Sequence, residues 1–153
     1  MDSCKTIGIL GGGQLASLIG TELLKKNLKF CIYAQDINEP ACEIAHYVVL
    51  GEKNDLQKLE VFFESVDFVL LESEFYSPEL LVRLEEKYKT KVYPELSSYK
   101  VLFSKANQKE FFCSIKIPNV NNYIIKSIRD IDSITSIGPF MVKLSHGGYD
   151  GYG

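Results

Sequence analysis

Three stretches of the sequence carry residue types that do chemistry. The first is Gly8-Ile9-Leu10-Gly11-Gly12-Gly13-Gln14-Leu15-Ala16. Here an apolar run meets glycines and then a helical pattern, and Gly11-x-Gly13-x-x-Ala16 fits the dinucleotide fingerprint. Small residues permit a tight turn, and backbone N–H groups at a helix start favour an anion. Asp36 follows near the end of the next strand pattern, where such a site takes an acid for a ribose. A Rossmann-like turn that binds nothing fits the same pattern, so both readings stay open. The second stretch is Leu71-Glu72-Ser73-Glu74. Alternation puts Glu72 and Glu74 on one side, where two carboxylates accept hydrogen bonds from an amine or a hydroxyl. Two solvated loop acids are the plain alternative. The third runs from Pro139-Phe140-Met141-Val142-Lys143-Leu144 into Ser145-His146-Gly147-Gly148-Tyr149-Asp150-Gly151-Tyr152-Gly153. A lysine within an apolar run calls for an anion, and a glycine-rich loop lays N–H groups over phosphates. It is not the P-loop pattern. The alternative is an edge strand with an exposed lysine, His146 being a loop residue.

Elements that would position these residues read off in alternation. Thr6–Leu10, Phe30–Ala34, Tyr47–Leu50, Asp67–Leu71 and Lys91–Tyr93 have strand character. Between them, Gln14–Asn27 has Leu15, Leu18, Ile19 and Leu23 at helical spacing, with Lys25 and Lys26 in the last turn. Asp55–Ser65 predicts a helix capped by Asp55, and Ser77-Pro78 opens another to about Tyr88. Strands alternating with helices require a parallel sheet with helices on both faces. In such sheets ligands bind beyond the carboxyl ends of strands, which brings the glycine turn and Glu72 to one edge. Ser97–Ser114 predicts a helix in two pieces. Beyond Pro118 the pattern predicts strands at Tyr123–Ile125 and Phe140–Leu144 and a short helix at Ile128–Ile134.

Composition narrows the partners. Lys plus Arg is 17 against 20 Asp plus Glu, a net charge of −3, which disfavours a general nucleic-acid binder. Hydrophobic residues at 46% argue against disorder. No apolar run suits a membrane span, and Met1-Asp2-Ser3-Cys4-Lys5 is no signal peptide, so a cytoplasmic protein is expected. Cys4, Cys31, Cys42 and Cys113 form no CxxC pair and read as buried, reduced thiols. His46 and His146 stand far apart, and no metal site within the chain is expected.

Taken together and in order, the motifs resemble the 5-(carboxyamino)imidazole ribonucleotide synthases of the ATP-grasp superfamily, the ATPase subunit of the bacterial purine-pathway carboxylase. Ile7–Ala16 resembles the family's opening, and Glu72-Ser73-Glu74 its Glu-x-Glu after the fourth strand. Gln108-Lys109-Glu110-Phe111-Phe112 with Ile117-Pro118 resembles the helix before its central domain. Gly147-Gly148-Tyr149-Asp150-Gly151-x-Gly153 resembles its phosphate-covering loop.

The resemblance implies a Rossmann-like pre-ATP-grasp domain over 1–96, a linker helix over 97–118 and the incomplete start of an ATP-grasp domain over 119–153. It implies carboxylation of 5-aminoimidazole ribonucleotide with bicarbonate and ATP, with magnesium held by ligands outside this chain. A homodimer of the full-length protein is implied, with a fragment of this length inactive alone. For ATP it implies Lys105, Lys143, Gly148, Tyr149, Asp150, Gly151, Tyr152 and Gly153. For the imidazole nucleotide it implies Gly13, Gln14 and Leu15 at the phosphate end, Glu72 and Glu74 at the ribose or base, and Tyr149 and Asp150. Catalytic residues stay unassigned, and Asp36 loses its cofactor role. Two positions depart from the family. Ser104-Lys105 stands where Asp-Arg is usual, which keeps a charge without the planar fork. Tyr152 stands where Lys or Arg is usual. Two other readings remain: a degenerate, non-catalytic nucleotide-binding or interaction module of the same descent, and an NAD-binding oxidoreductase fragment.

Overall fold

The structure is a computed structural model that describes residues 5–134 and 138–147. The chain divides into two compact units, Met1–Tyr99 and Lys100–Gly153.

In the first unit, five strands form one parallel sheet. They are β1 (Thr6–Leu10), β2 (Lys29–Ala34), β3 (Tyr47–Leu50), β4 (Phe68–Leu71) and β5 (Lys91–Tyr93). Their order is β3-β2-β1-β4-β5, so the chain winds outward from β1 on one side and then returns past it. The connections are α1 (Gln14–Lys25), α2 (Leu56–Glu64) and α3 (Pro78–Tyr88). Phe30 through Ala34 of β2 are buried without a break, as a strand covered on both faces requires.

Glycines let the two helical layers approach. On one face α1 buries Ala16 and Gly20 over Ile9, Phe30 and Ile32. A Cβ at Gly20 would come within 2.8 Å of the Phe30 ring. On the other face the Phe62 ring of α2 fills the space above Gly8, 2.6 Å from where a Cβ would stand. Helices therefore cover both faces, as the alternation predicts. Each fully buried side chain of this core contributes about 1.5–3 kcal/mol through removal of apolar surface from water.

Helix ends follow local chemistry. Asp55 caps α2 by accepting from Lys58 N at 3.1 Å. Ser77 caps α3 by accepting from Leu80 N, with Pro78 in the first turn. Thr90 is buried and donates its hydroxyl to Phe63 O at 3.1 Å, satisfying a carbonyl at the end of α2. Then α4 (Leu96–Leu102) buries Leu96 and Tyr99, and the Tyr99 hydroxyl donates to Tyr76 O at 2.8 Å.

The second unit holds α5 (Lys105–Ser114) and α6 (Ile128–Ile134). Ser104, buried, caps α5 by accepting from Asn107 N. The two strands predicted at Tyr123–Ile125 and Phe140–Leu144 are not formed. Those segments are irregular, and Phe140, Met141, Val142 and Leu144 are all exposed. An apolar run becomes a strand only when another strand pairs with it, and none among the described residues does. Lys143 is accordingly an exposed residue and not one embedded in a sheet.

Candidate functional site

Strand register builds the site. Leu10 pairs with Tyr33 of β2 and with Leu71 of β4, so these three strands end level. The loops that leave them meet at one edge of the sheet. Gly11 N donates to Tyr33 O at 3.0 Å, Ser73 N to Leu10 O at 3.1 Å, and Ala41 N to Gly12 O at 2.9 Å. The end of β2 and the loops after β2 and β4 thus grip one glycine turn.

Side-chain chemistry follows from that grip. Gly11 has φ +130°, a conformation that L side chains rarely adopt, and a Cβ there would strike the Glu72 carboxylate. The same carboxylate lies 3.6 Å from where a Cβ of Gly13 would stand. Gly13 is the N-cap of α1 and supplies no side chain to cap it. The first-turn N–H groups of α1 are left for solvent or a ligand, with the positive end of the helix dipole behind them. Gln14 and Leu15 are exposed beside them.

Glu72 is half-buried, and burial is the main cause that raises its pKa above the usual carboxylate range. The charges of Glu74 and Glu39 add to the shift. Every residue predicted for the imidazole nucleotide within the first unit therefore stands at this edge. The turn offers N–H donors to an anion, and Glu72 and Glu74 offer acceptors to hydroxyl or amine groups.

Glu39 is a resident of this edge that motif reading misses. Its Oε1 accepts from Gln35 N at 2.7 Å and Asp36 N at 3.0 Å. The signal available was topological: β2 neighbours β1, so the loop after Ala34 must also reach the glycine turn. Asp36 turns the other way. Its carboxylate accepts from the backbone and side-chain nitrogens of Asn38, closing its own loop.

Within the second unit, Lys105 opens α5 beside the chain that leads toward the glycine-rich loop. Lys105 N donates to Ser145 O at 2.8 Å, and its ammonium donates to Gly147 O. Ser104 and Ser145 hydroxyls share a hydrogen bond of 2.9 Å, and the Phe103 and His146 rings pack 5.0 Å apart. His146 is exposed, and its packing against Phe103 marks it as a loop anchor. Residues Gly148 to Gly153 lie outside the described residues. The thiol expectation holds for Cys31 and Cys42, which are buried, but Cys113 is exposed because α5 buries no residue. Cys4 lies outside the described residues.

A family model for the ribonucleotide synthetase preATP-grasp domain matches residues 4–102. The chain belongs to this preATP-grasp family. Its relatives include an N5-carboxyaminoimidazole ribonucleotide synthase of Staphylococcus aureus, 31% identical over 97% of this chain and 40% of that protein. A bifunctional purine synthesis protein of Dictyostelium discoideum is also 31% identical, over 97% of this chain and 15% of that protein. Among solved structures, an N5-carboxyaminoimidazole synthetase from Staphylococcus aureus complexed with ADP superposes with a TM-score of 0.83. It is 27% identical over 97% of this chain and 40% of that one. The chain thus spans about two fifths of the length of the Staphylococcus aureus relatives, or less in the Dictyostelium discoideum protein.

Proposed function

We propose that this chain is the substrate-holding part of an ATP-dependent ligase that carboxylates 5-aminoimidazole ribonucleotide with bicarbonate. The observation that supports this most is the pairing of an uncapped helix start with Glu72 at one sheet edge. A ligand with a phosphate at one end and hydroxyl and amine groups at the other matches that arrangement. Gly13, Gln14 and Leu15 hold the phosphate end. Glu72, with Glu74, accepts from the ribose or base.

In the proposed reaction the terminal phosphoryl group of ATP passes to a bicarbonate oxygen, giving carboxyphosphate and ADP. The substrate amine then attacks the carboxyl carbon, loses a proton and displaces phosphate. The protein's part is positioning and neutralisation of charge. Lys105, Lys143 and residues Gly148 to Gly153, Tyr149, Asp150, Gly151 and Tyr152 among them, are assigned to the ATP phosphates. Tyr149 and Asp150 are assigned to the imidazole nucleotide as well. Among the described residues no group of three or more His, Cys, Asp or Glu gathers to hold a metal ion. By the family resemblance, magnesium is assigned to come with ATP and to take its protein ligands outside this chain.

The layout assigned is a pre-ATP-grasp domain over 1–96, a linker over 97–118 and the start of an ATP-grasp domain over 119–153, in a cytoplasmic homodimer. A non-catalytic nucleotide-binding module is the second reading, favoured by the Lys105 ammonium being engaged with Gly147 O.

Calorimetry with 5-aminoimidazole ribonucleotide tests the substrate assignment. Binding by this chain is expected to weaken about tenfold in Glu72→Gln, the loss of a charge-assisted hydrogen bond. Equal affinity in the variant would remove Glu72 from the site. ATP turnover with bicarbonate and this substrate is expected only from a longer polypeptide that carries these residues. Clear turnover by the 153 residues would overturn that division, and no turnover by the longer polypeptide would favour the non-catalytic module.

A further inference from the structure

We propose that Glu39 is a positioning residue, whose carboxylate braces the loop after β2 so that this loop holds Gly12 and sets the glycine turn for a ligand's phosphate end. The inference rests on the reading of that turn as a substrate site.

The loop has no regular structure to stiffen it, so its shape depends on individual bonds. Glu39 Oε1 collects Gln35 N at 2.7 Å and Asp36 N at 3.0 Å, the two amides that follow β2. Hydrogen bonds from N–H groups to a carboxylate are shorter and stronger than neutral ones. The backbone of Glu39 closes the same loop, donating to Asp36 O at 3.1 Å and accepting from Cys42 N at 2.9 Å. The braced loop then presents Ala41 N to Gly12 O at 2.9 Å.

Packing acts at the same place. A Cβ at Gly12 would lie 2.6 Å from Glu39 Oε2, 2.9 Å from Ala34 Cβ and 3.0 Å from Glu39 Cβ. Gly12 is therefore wedged between the end of β2 and Glu39. Its peptide leads directly into Gly13, the N-cap of α1. Glu72 bears on Gly11 and Gly13 from the loop after β4. The turn is held from two sides by two carboxylates. Glu72 is placed to touch ligand, while Glu39 acts through the backbone.

Amide hydrogen exchange on this chain, paired with calorimetry using 5-aminoimidazole ribonucleotide, tests the proposal. In Glu39→Ala the Ala41 amide is expected to exchange about tenfold faster, as local opening becomes easier, and ligand affinity to fall by a similar factor. Glu39→Gln keeps a carbonyl oxygen for the two amides and is expected to restore both to within about threefold of the parent. Should Glu39→Ala lose its fold, Glu39→Met keeps the bulk, removes the acceptor and carries the same expectation. Unchanged Ala41 exchange without the acceptor, or no rescue by glutamine, would overturn the proposal. If the parent chain does not bind the nucleotide, the substrate reading fails, and the exchange measurement alone decides whether Glu39 positions the turn.

Discussion

Glu72 sits against Gly11 and Gly13, half-buried and close to two other carboxylates. Its pKa is raised from the ordinary 4.5, chiefly by burial. The folded state therefore holds this proton more tightly than the unfolded chain. The stabilising contribution is complete below 4.5 and is lost as pH rises through the folded value. At neutral pH the ionised Glu72 weakens the fold, so Glu72→Gln is expected to melt about 2 °C higher there, with the difference vanishing in acid. A lower melting temperature for the variant at neutral pH would contradict that environment. Cost in stability with gain in binding is a common mark of a functional residue. The thiols give a second residue-scale prediction. Burial pushes the Cys31 thiol up to about 11 and raises that of Cys42 as well. At neutral pH iodoacetamide is expected to modify Cys113 and spare Cys31 and Cys42 in the folded chain. Modification of Cys31 at the rate of Cys113 would contradict the packing of β2.

Elements carry the next level of constraint. Beneath β1 the Phe62 ring of α2 occupies the space a side chain at Gly8 would take. Gly8→Ala is expected to destabilise the fold by about 1–3 kcal/mol, read by urea unfolding, because the ring must shift in a close-packed layer. A stability equal to the parent would show that α2 does not press on β1 there. The strands and helices of the first unit were legible because burial on both faces, helix spacing and capping residues such as Asp55 and Ser77 act locally. The edge that carries Glu72 was legible too, since parallel strands place their following loops together. Glu39 was not, because its role depends on where a loop folds back and leaves no motif. The segments at Tyr123–Ile125 and Phe140–Leu144 show the opposite failure. Their apolar character predicts strands, yet pairing is a property of two segments, and neither pairs with a strand among the described residues.

At the scale of the molecule, the first unit is a parallel sheet with a glycine turn at its carboxyl edge, and the second carries two lysines assigned to ATP. No described helix is long and apolar enough to cross a membrane. The central claim is that the turn and Glu72 hold an imidazole ribonucleotide and not a dinucleotide. Titration of the 15N-labelled chain by NMR tests this most directly. With 5-aminoimidazole ribonucleotide the amides of Gly13, Gln14, Leu15, Glu72 and Glu74 should shift and saturate, while NAD leaves them in place. Shifts with NAD and none with the ribonucleotide would contradict the account.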